Sequence, residues 1–224
     1  MKIGIESNIL RYYLKNVYFI NGTAYAGKST MVKMLAEKHG MIHCGENYHD
    51  EVAEKVTTPD VQPGLCYFRT MSGWQEFINR APDEYEAWIN RSAKEAAEFE
   101  LMKLLQLSAM NKKIIVDTNI SLEILHEISD YNHVAIMLSP QSMSVDKFFE
   151  RSDPDKQFVL EQINKAENPE KTMANFRECI ARINSQKYCD EFANSGFFTL
   201  IRENTEADTK EETLNKLEKH FNLI

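Results

Sequence analysis

Short apolar runs alternate with longer stretches of helical periodicity along the whole chain. Asn16-Val17-Tyr18-Phe19-Ile20 is rich in β-branched and aromatic residues and ends at a glycine-containing loop, which predicts a buried strand. Residues 30–39 place Met31, Met34 and Leu35 on one helical face and stop at Gly40, a natural helix end. Met41-Ile42-His43 is a weaker strand. The segment Thr57-Thr58-Pro59-Asp60-Val61-Gln62-Pro63-Gly64 cannot be regular structure. From Trp74 the pattern turns helical, and Pro82-Asp83-Glu84 opens a long helix reaching about Met110. Its apolar positions Tyr85, Trp88, Ile89, Ala93, Ala96, Ala97, Leu101, Leu104 and Leu105 keep helical spacing.

Lys113-Ile114-Ile115-Val116-Asp117 is the clearest strand, and His133-Val134-Ala135-Ile136-Met137-Leu138 is another. A short helix is predicted over 121–128, an interrupted one over 144–163, and a continuous one over 169–194. Phe197-Phe198-Thr199-Leu200-Ile201 reads as the last strand. Thr209-Lys210-Glu211-Glu212 reads as a capping box opening the final helix. Strands alternating with helices predict an α/β fold, a mainly parallel five-stranded sheet with helices on both faces in three α/β/α layers. The strands are continuous apolar runs, as suits strands covered on both sides.

The chain has 224 residues, enough for one domain over 1–224 with a full core. Its 26 Lys and Arg against 34 Asp and Glu give a net charge of -8, which disfavours nucleic acid or anionic lipid as the main partner. Cys44, Cys66, Cys179 and Cys189 form no CxxC pair, and no zinc-binding spacing occurs. Reduced thiols in a cytoplasmic protein are expected. The start, Met1 to Glu6, has no apolar run followed by a cleavage site, so no secretory leader is expected. No apolar stretch approaches the roughly 20 residues that span a bilayer.

Gly22-Thr23-Ala24-Tyr25-Ala26-Gly27-Lys28-Ser29 matches the GxxxxGKS/T phosphate-binding pattern in full, and Thr30 follows it. Glycines let backbone N–H groups turn toward phosphate oxygens, and the following helix points its positive end at the same anion. Lys28 is expected at the β- and γ-phosphates of ATP and Ser29 on Mg²⁺. Asp117 ends its strand at the carboxyl edge, where it either holds Mg²⁺ or caps the next helix; Asn119 and Ser121 could also cap it. Asn111-Lys112-Lys113 is followed by Ile114, so no guanine-reading NKxD is present, and no DxxG occurs. A small-molecule kinase remains.

On these residues the chain from Val17 to about Ile224 resembles the nucleoside monophosphate kinase-like superfamily, whose members include gluconate and shikimate kinases, adenylylsulfate kinase and chloramphenicol phosphotransferase. The resemblance implies a P-loop NTPase fold, ATP and Mg²⁺, a helical acceptor-binding insertion over about 47–110 and a short lid over 144–165. Cys44-Gly45-Glu46-Asn47-Tyr48-His49 resembles the stretch that carries the acceptor-activating carboxylate, with Glu46 in its place and Asp50 four residues on. Either is the expected base, or a solvated surface carboxylate. The lid position falls on Phe148-Phe149-Glu150-Arg151-Ser152-Asp153-Pro154-Asp155-Lys156, implying Arg151 as the residue that neutralises the transferring phosphoryl group, with Lys156 assisting; the alternative is a helix-end loop with compensating charges. The insertion contains Arg69, Trp74, Arg80 and Arg91. An arginine in a cleft favours an anionic acceptor; Arg80 and Arg91 either serve there or lie on solvated helix faces, and Trp74 either stacks on a ring or packs in the core. Arg202 holds the position that contacts adenine in the superfamily. The expected reaction is transfer of the γ-phosphoryl group of ATP to an unidentified small acceptor. A nucleotide-binding regulatory module without transfer, and a kinase resembling zeta-type toxins, are the alternatives.

Overall fold

The computed structural model describes residues 4–150, 153–202 and 207–224. Helix α1 (Ser7–Leu14) precedes strand β1 (Val17–Gly22), and α2 (Lys28–His39) leads to β2 (Ile42–Cys44). Helices α3 (Asp50–Val56), α4 (Tyr67–Thr70), α5 (Trp74–Ile78) and the long α6 (Pro82–Ser108) connect it to β3 (Ile114–Asp117). Then come α7 (Leu122–Ile128), a single 3-10 turn and β4 (Val134–Leu138). Helices α8 (Gln141–Asp146), α9 (Pro154–Asn164), α10 (Pro169–Ile183) and α11 (Gln186–Ala193) lead to β5 (Phe198–Ile201) and α12 (Lys210–His220).

The five strands form one sheet in the order β2-β3-β1-β4-β5, and every pairing is parallel. Side chains alternate between its faces. Val17, Phe19, Ile114, Val116, Val134 and Ile136 pack with α1, the second half of α6 and α7. Tyr18, Ile20, Ile115, Ala135 and Met137 pack with α2 and α12. Helices therefore cover both faces, compatible with the three expected layers. Helix α2 leaves β1 on one face and α7 follows β3 on the other. The gap between the carboxyl ends of β1 and β3 is thus a topological switch point, where open parallel sheets bind ligands. A third apolar cluster lies off the sheet, where Tyr67, Phe77, Ile78 and Tyr85 meet Ile163, Phe176 and Ile180.

Several boundaries differ from the sequence expectation. The continuous helix over 169–194 is two helices, α10 and α11. Asn184 turns its side-chain amide back onto the Ile180 carbonyl (2.9 Å), and Ser185 is extended. The interrupted helix over 144–163 resolves into α8, which ends at Asp146, and α9, which Asp153 caps through the Asp155 N–H (3.1 Å). Thr209 makes no capping hydrogen bond, so the capping box is not formed; Asp208 accepts from the Lys210 N–H instead (3.1 Å). Helix α1 was not anticipated. No helix among the described residues is long and apolar enough to cross a membrane.

Candidate functional site

The loop between β1 and α2 is built by three left-handed or strained positions, Gly22 (φ 128°), Tyr25 (φ 65°) and Gly27 (φ 92°). Buried polar residues hold it from below. Asn21 donates to the Ile120 carbonyl (2.7 Å) and accepts from the Gly22 N–H (2.6 Å). Thr23 accepts from the Ser139 N–H (2.8 Å), and the Ser139 hydroxyl donates to the Ala24 carbonyl (2.6 Å). The Tyr25 hydroxyl donates to the Lys147 carbonyl (2.8 Å), and Arg202 donates to the Tyr25 carbonyl (2.8 Å). The loop is thereby tied to β4, α8 and β5.

Lys28 and Ser29 open α2. The Ser29 hydroxyl donates to Asp117 Oδ2 at 2.6 Å. Lys28 Nζ donates to the Thr23 carbonyl (3.2 Å) and lies 4.0 Å from Asp117 Oδ1. Asp117 is 4% exposed, so its charge is met by these two groups rather than by water. The capping alternative for Asp117 is not realised: Ser121 caps α7 by accepting from the Ile124 N–H. A hydroxyl and a carboxylate oxygen side by side are hard donors of the kind Mg²⁺ takes, the remaining positions falling to water and phosphate. Ser29 and Asp117 fit that ion.

The loop forms one end of a cleft of about 870 Å³. Gly22, Thr23, Ala24, Tyr25, Gly27, Lys28, Ser29 and Thr30 line it; Ala26 turns into the core under α2. Glu46, Asp50, Arg69 and Lys156 line it as well, with Lys156 Nζ 5.4 Å from the centroid of the Tyr25 ring. The two carboxylates do not share a helical face, because Glu46 precedes a turn at Asn47 (φ 61°) and α3 starts only at Asp50. Arg69 is occupied, donating to the Thr57 carbonyl (3.3 Å) and hydroxyl (2.5 Å) and to the Cys66 sulfur (2.8 Å).

Three expected substrate or nucleotide contacts lie elsewhere. Trp74 packs on Phe68, Phe77 and Phe158 in the third cluster, the core alternative. Arg80 stacks on Tyr67, its guanidinium 3.9 Å from the ring centroid, outside the cleft. Arg202 does not line the cleft and serves to hold the Tyr25 carbonyl. Arg91 is exposed on α6 away from the cleft. Arg151 lies outside the described residues.

Sequence reasoning missed Glu100 and His49, both of which line the cleft. Glu100 is 3% exposed and accepts from the Thr118 hydroxyl (2.6 Å) and the Tyr48 hydroxyl (3.2 Å). Burial pushes its carboxyl above the usual range, and the negative charge of Asp117 adds to this; the two hydrogen bonds pull the other way. Burial also pushes the Asp50 carboxyl up, against the pull of His49. The signal for Glu100 was present: it occupies a position of the apolar stripe of α6, four residues after Ala96 and four before Leu104. A charged residue there is buried and must be partnered.

Compared with known proteins, the chain matches no family model and no curated protein.

Proposed function

We propose that the chain is an ATP-dependent phosphotransferase of P-loop NTPase fold, with residues 47–110 as the acceptor-binding insertion and 144–165 as the lid. The observation that carries this reading is the glycine loop running into the amino end of α2, with Lys28 and the Ser29–Asp117 pair beneath it at the sheet's switch point. Backbone N–H groups and a helix amino terminus aimed at one point make an anion site. The cleft continues from there to carboxylates suited to orienting a hydroxyl.

In this reading the loop N–H groups grip the phosphates and Lys28 balances the charge that spreads over the transferring group. Ser29 and Asp117 would hold Mg²⁺, which would supply positive charge against the phosphates. Asp50 or Glu46 orients the acceptor hydroxyl, whose oxygen bonds to the γ-phosphorus as the bond to the bridging oxygen of ADP breaks. The loop is already fixed by its hydrogen bonds to Ser139, just beyond β4.

The test is ADP release by the full chain with ATP, Mg²⁺ and a panel of nucleosides, nucleotides, sugar acids and amino alcohols. Lys28→Ala is expected to lower turnover about 100-fold or more with the circular dichroism spectrum unchanged. Full turnover by that variant refutes the assignment. Binding of ATP with no consumption on any acceptor favours the regulatory-module reading instead. Glu46→Gln and Asp50→Asn separate the two carboxylates: the one that orients the hydroxyl loses about 100-fold in kcat, and the other stays within a few fold. If neither loses activity, neither acts on the hydroxyl.

A further inference from the structure

Within the lining of the cleft, His49 stands between a buried carboxyl and an open one. The residue is 4% exposed. Its Nδ1 has no hydrogen-bond partner and lies 4.0 Å from Glu100 Oε1, while Glu100 Oε2 is taken by Thr118 and Tyr48. Its Nε2 is turned the other way, 3.6 Å from Oδ1 of Asp50, whose side chain is 56% exposed. Buried imidazole nitrogens are normally satisfied, so an open Nδ1 facing a carboxyl marks a hydrogen bond not yet closed. Catalytic hydrogen bonds are often long without substrate and tighten in the reactive complex.

Closing that bond onto an ionised Glu100 would place the proton on Nδ1 and leave the Nε2 lone pair on the Asp50 side. Thr118 links this carboxyl to the end of β3, one residue beyond Asp117, so the group behind the imidazole is anchored beside the Ser29–Asp117 pair. We propose that His49 is the general base for the acceptor hydroxyl, with Glu100 as the positioning residue behind it and Asp50 orienting the hydroxyl. This rests on the phosphotransferase reading. Nε2 takes the hydroxyl proton as the oxygen bonds to the γ-phosphorus. The bond from that phosphorus to the β–γ bridging oxygen breaks, and ADP leaves with the electron pair. The imidazolium that forms lies between Glu100 and Asp50, and returns its proton to water. Burial, the larger effect, holds the imidazole below its ordinary range, and the Asp50 charge offsets this only in part. The neutral, proton-accepting form therefore predominates at neutral pH.

Three measurements on the full chain test it. Calorimetric titration with ADP and Mg²⁺ examines the donor site without involving His49. ADP release is then followed with the fastest acceptor of the panel, or with water where none is faster. His49→Gln is expected to lower kcat about 100-fold or more while leaving ADP affinity within about threefold. Ring ¹⁵N NMR at pH 8 is expected to show His49 protonated on Nδ1, and Glu100→Gln to shift the proton toward Nε2 and to lower kcat. Wild-type His49 protonated on Nε2 overturns the proposal whatever the turnover. So does a His49→Gln variant that binds ADP and turns over within about threefold of wild type. Failure of the wild type to bind ADP overturns the phosphotransferase reading itself, and the base role with it.

Discussion

Gly22 and Gly27 hold equivalent places in the glycine motif, yet the structure constrains them differently. A Cβ added at Gly22 would sit on the Met137 carbonyl oxygen, at the point where Thr23 N–H pairs with that same oxygen (3.0 Å). A Cβ at Gly27 meets only the flexible end of Met137, 3.9 Å away. At Gly27 only the left-handed backbone (φ 92°) opposes alanine, costing about 1–2 kcal/mol. At Gly22 the backbone term is joined by a collision with a strand that cannot move. Gly22→Ala is therefore expected to lose more than about 4 kcal/mol, or to fail to fold. Urea unfolding of the two variants ranks them, and equal losses would contradict the close approach of β1 to β4. The motif was legible from residue types alone. The unequal burden on its glycines was not, because it depends on Met137, far along the chain.

At the scale of elements, α12 is fastened to α2 through one carboxylate. Glu218 is fully buried and accepts from Lys38 Nζ at 2.9 Å and from His39 Nε2 at 2.6 Å. Burial acts to raise its carboxyl, but the bonds from Lys38 and His39 outweigh it and hold the group below its ordinary range. A carboxyl depressed in the folded state adds stability that is fully present above its unfolded value of 4.5 and is lost as pH falls through the folded one. Glu218→Gln is expected to cost about 2 kcal/mol at pH 7, hydrogen bonds to a charged group being worth that much. The difference from wild type should shrink steadily below about pH 4. A pH-independent difference in denaturation midpoint would show that the charge contributes nothing. Such cross-helix bonds also explain what the sequence concealed at this scale. Helical periodicity located α2 and α6, because each carries an apolar stripe, whereas α12 was placed by a capping pattern that does not form. It could not see the break between α10 and α11, where Asn184 bonds back to its own helix, nor that Asp208 rather than Thr209 caps α12. Short polar side chains choose between such local bonds by geometry, not by type.

Across the whole molecule, α6 joins two packing units. Its 27 residues span about 40 Å at the usual helical rise. Tyr85, Trp88 and Ile89 near its start belong to the aromatic cluster off the sheet, and Ala97, Leu101 and Leu104 near its end pack under the sheet. The strands were readable because a parallel strand buried on both faces is a continuous apolar run. The helical unit was readable only as helices. Which side each short helix buries is set by partners far away in sequence, which is why Trp74 and Arg80 left the acceptor site for this cluster. Glu100 and His49 came to the cleft for the same reason. Phe176 on α10 is 1% exposed and touches the rings of Phe77, Tyr85, Phe148 and Phe149. Phe176→Ala is expected to cost about 3–5 kcal/mol. None of these contacts reaches the sheet, so the loss should fall first on α5, α8 and α10. Amide hydrogen exchange should then quicken in those helices, while β1 and β4 keep protection set by global unfolding. Equal loss of protection in the central strands would instead mean that both units open together, with α6 transmitting the defect along its length.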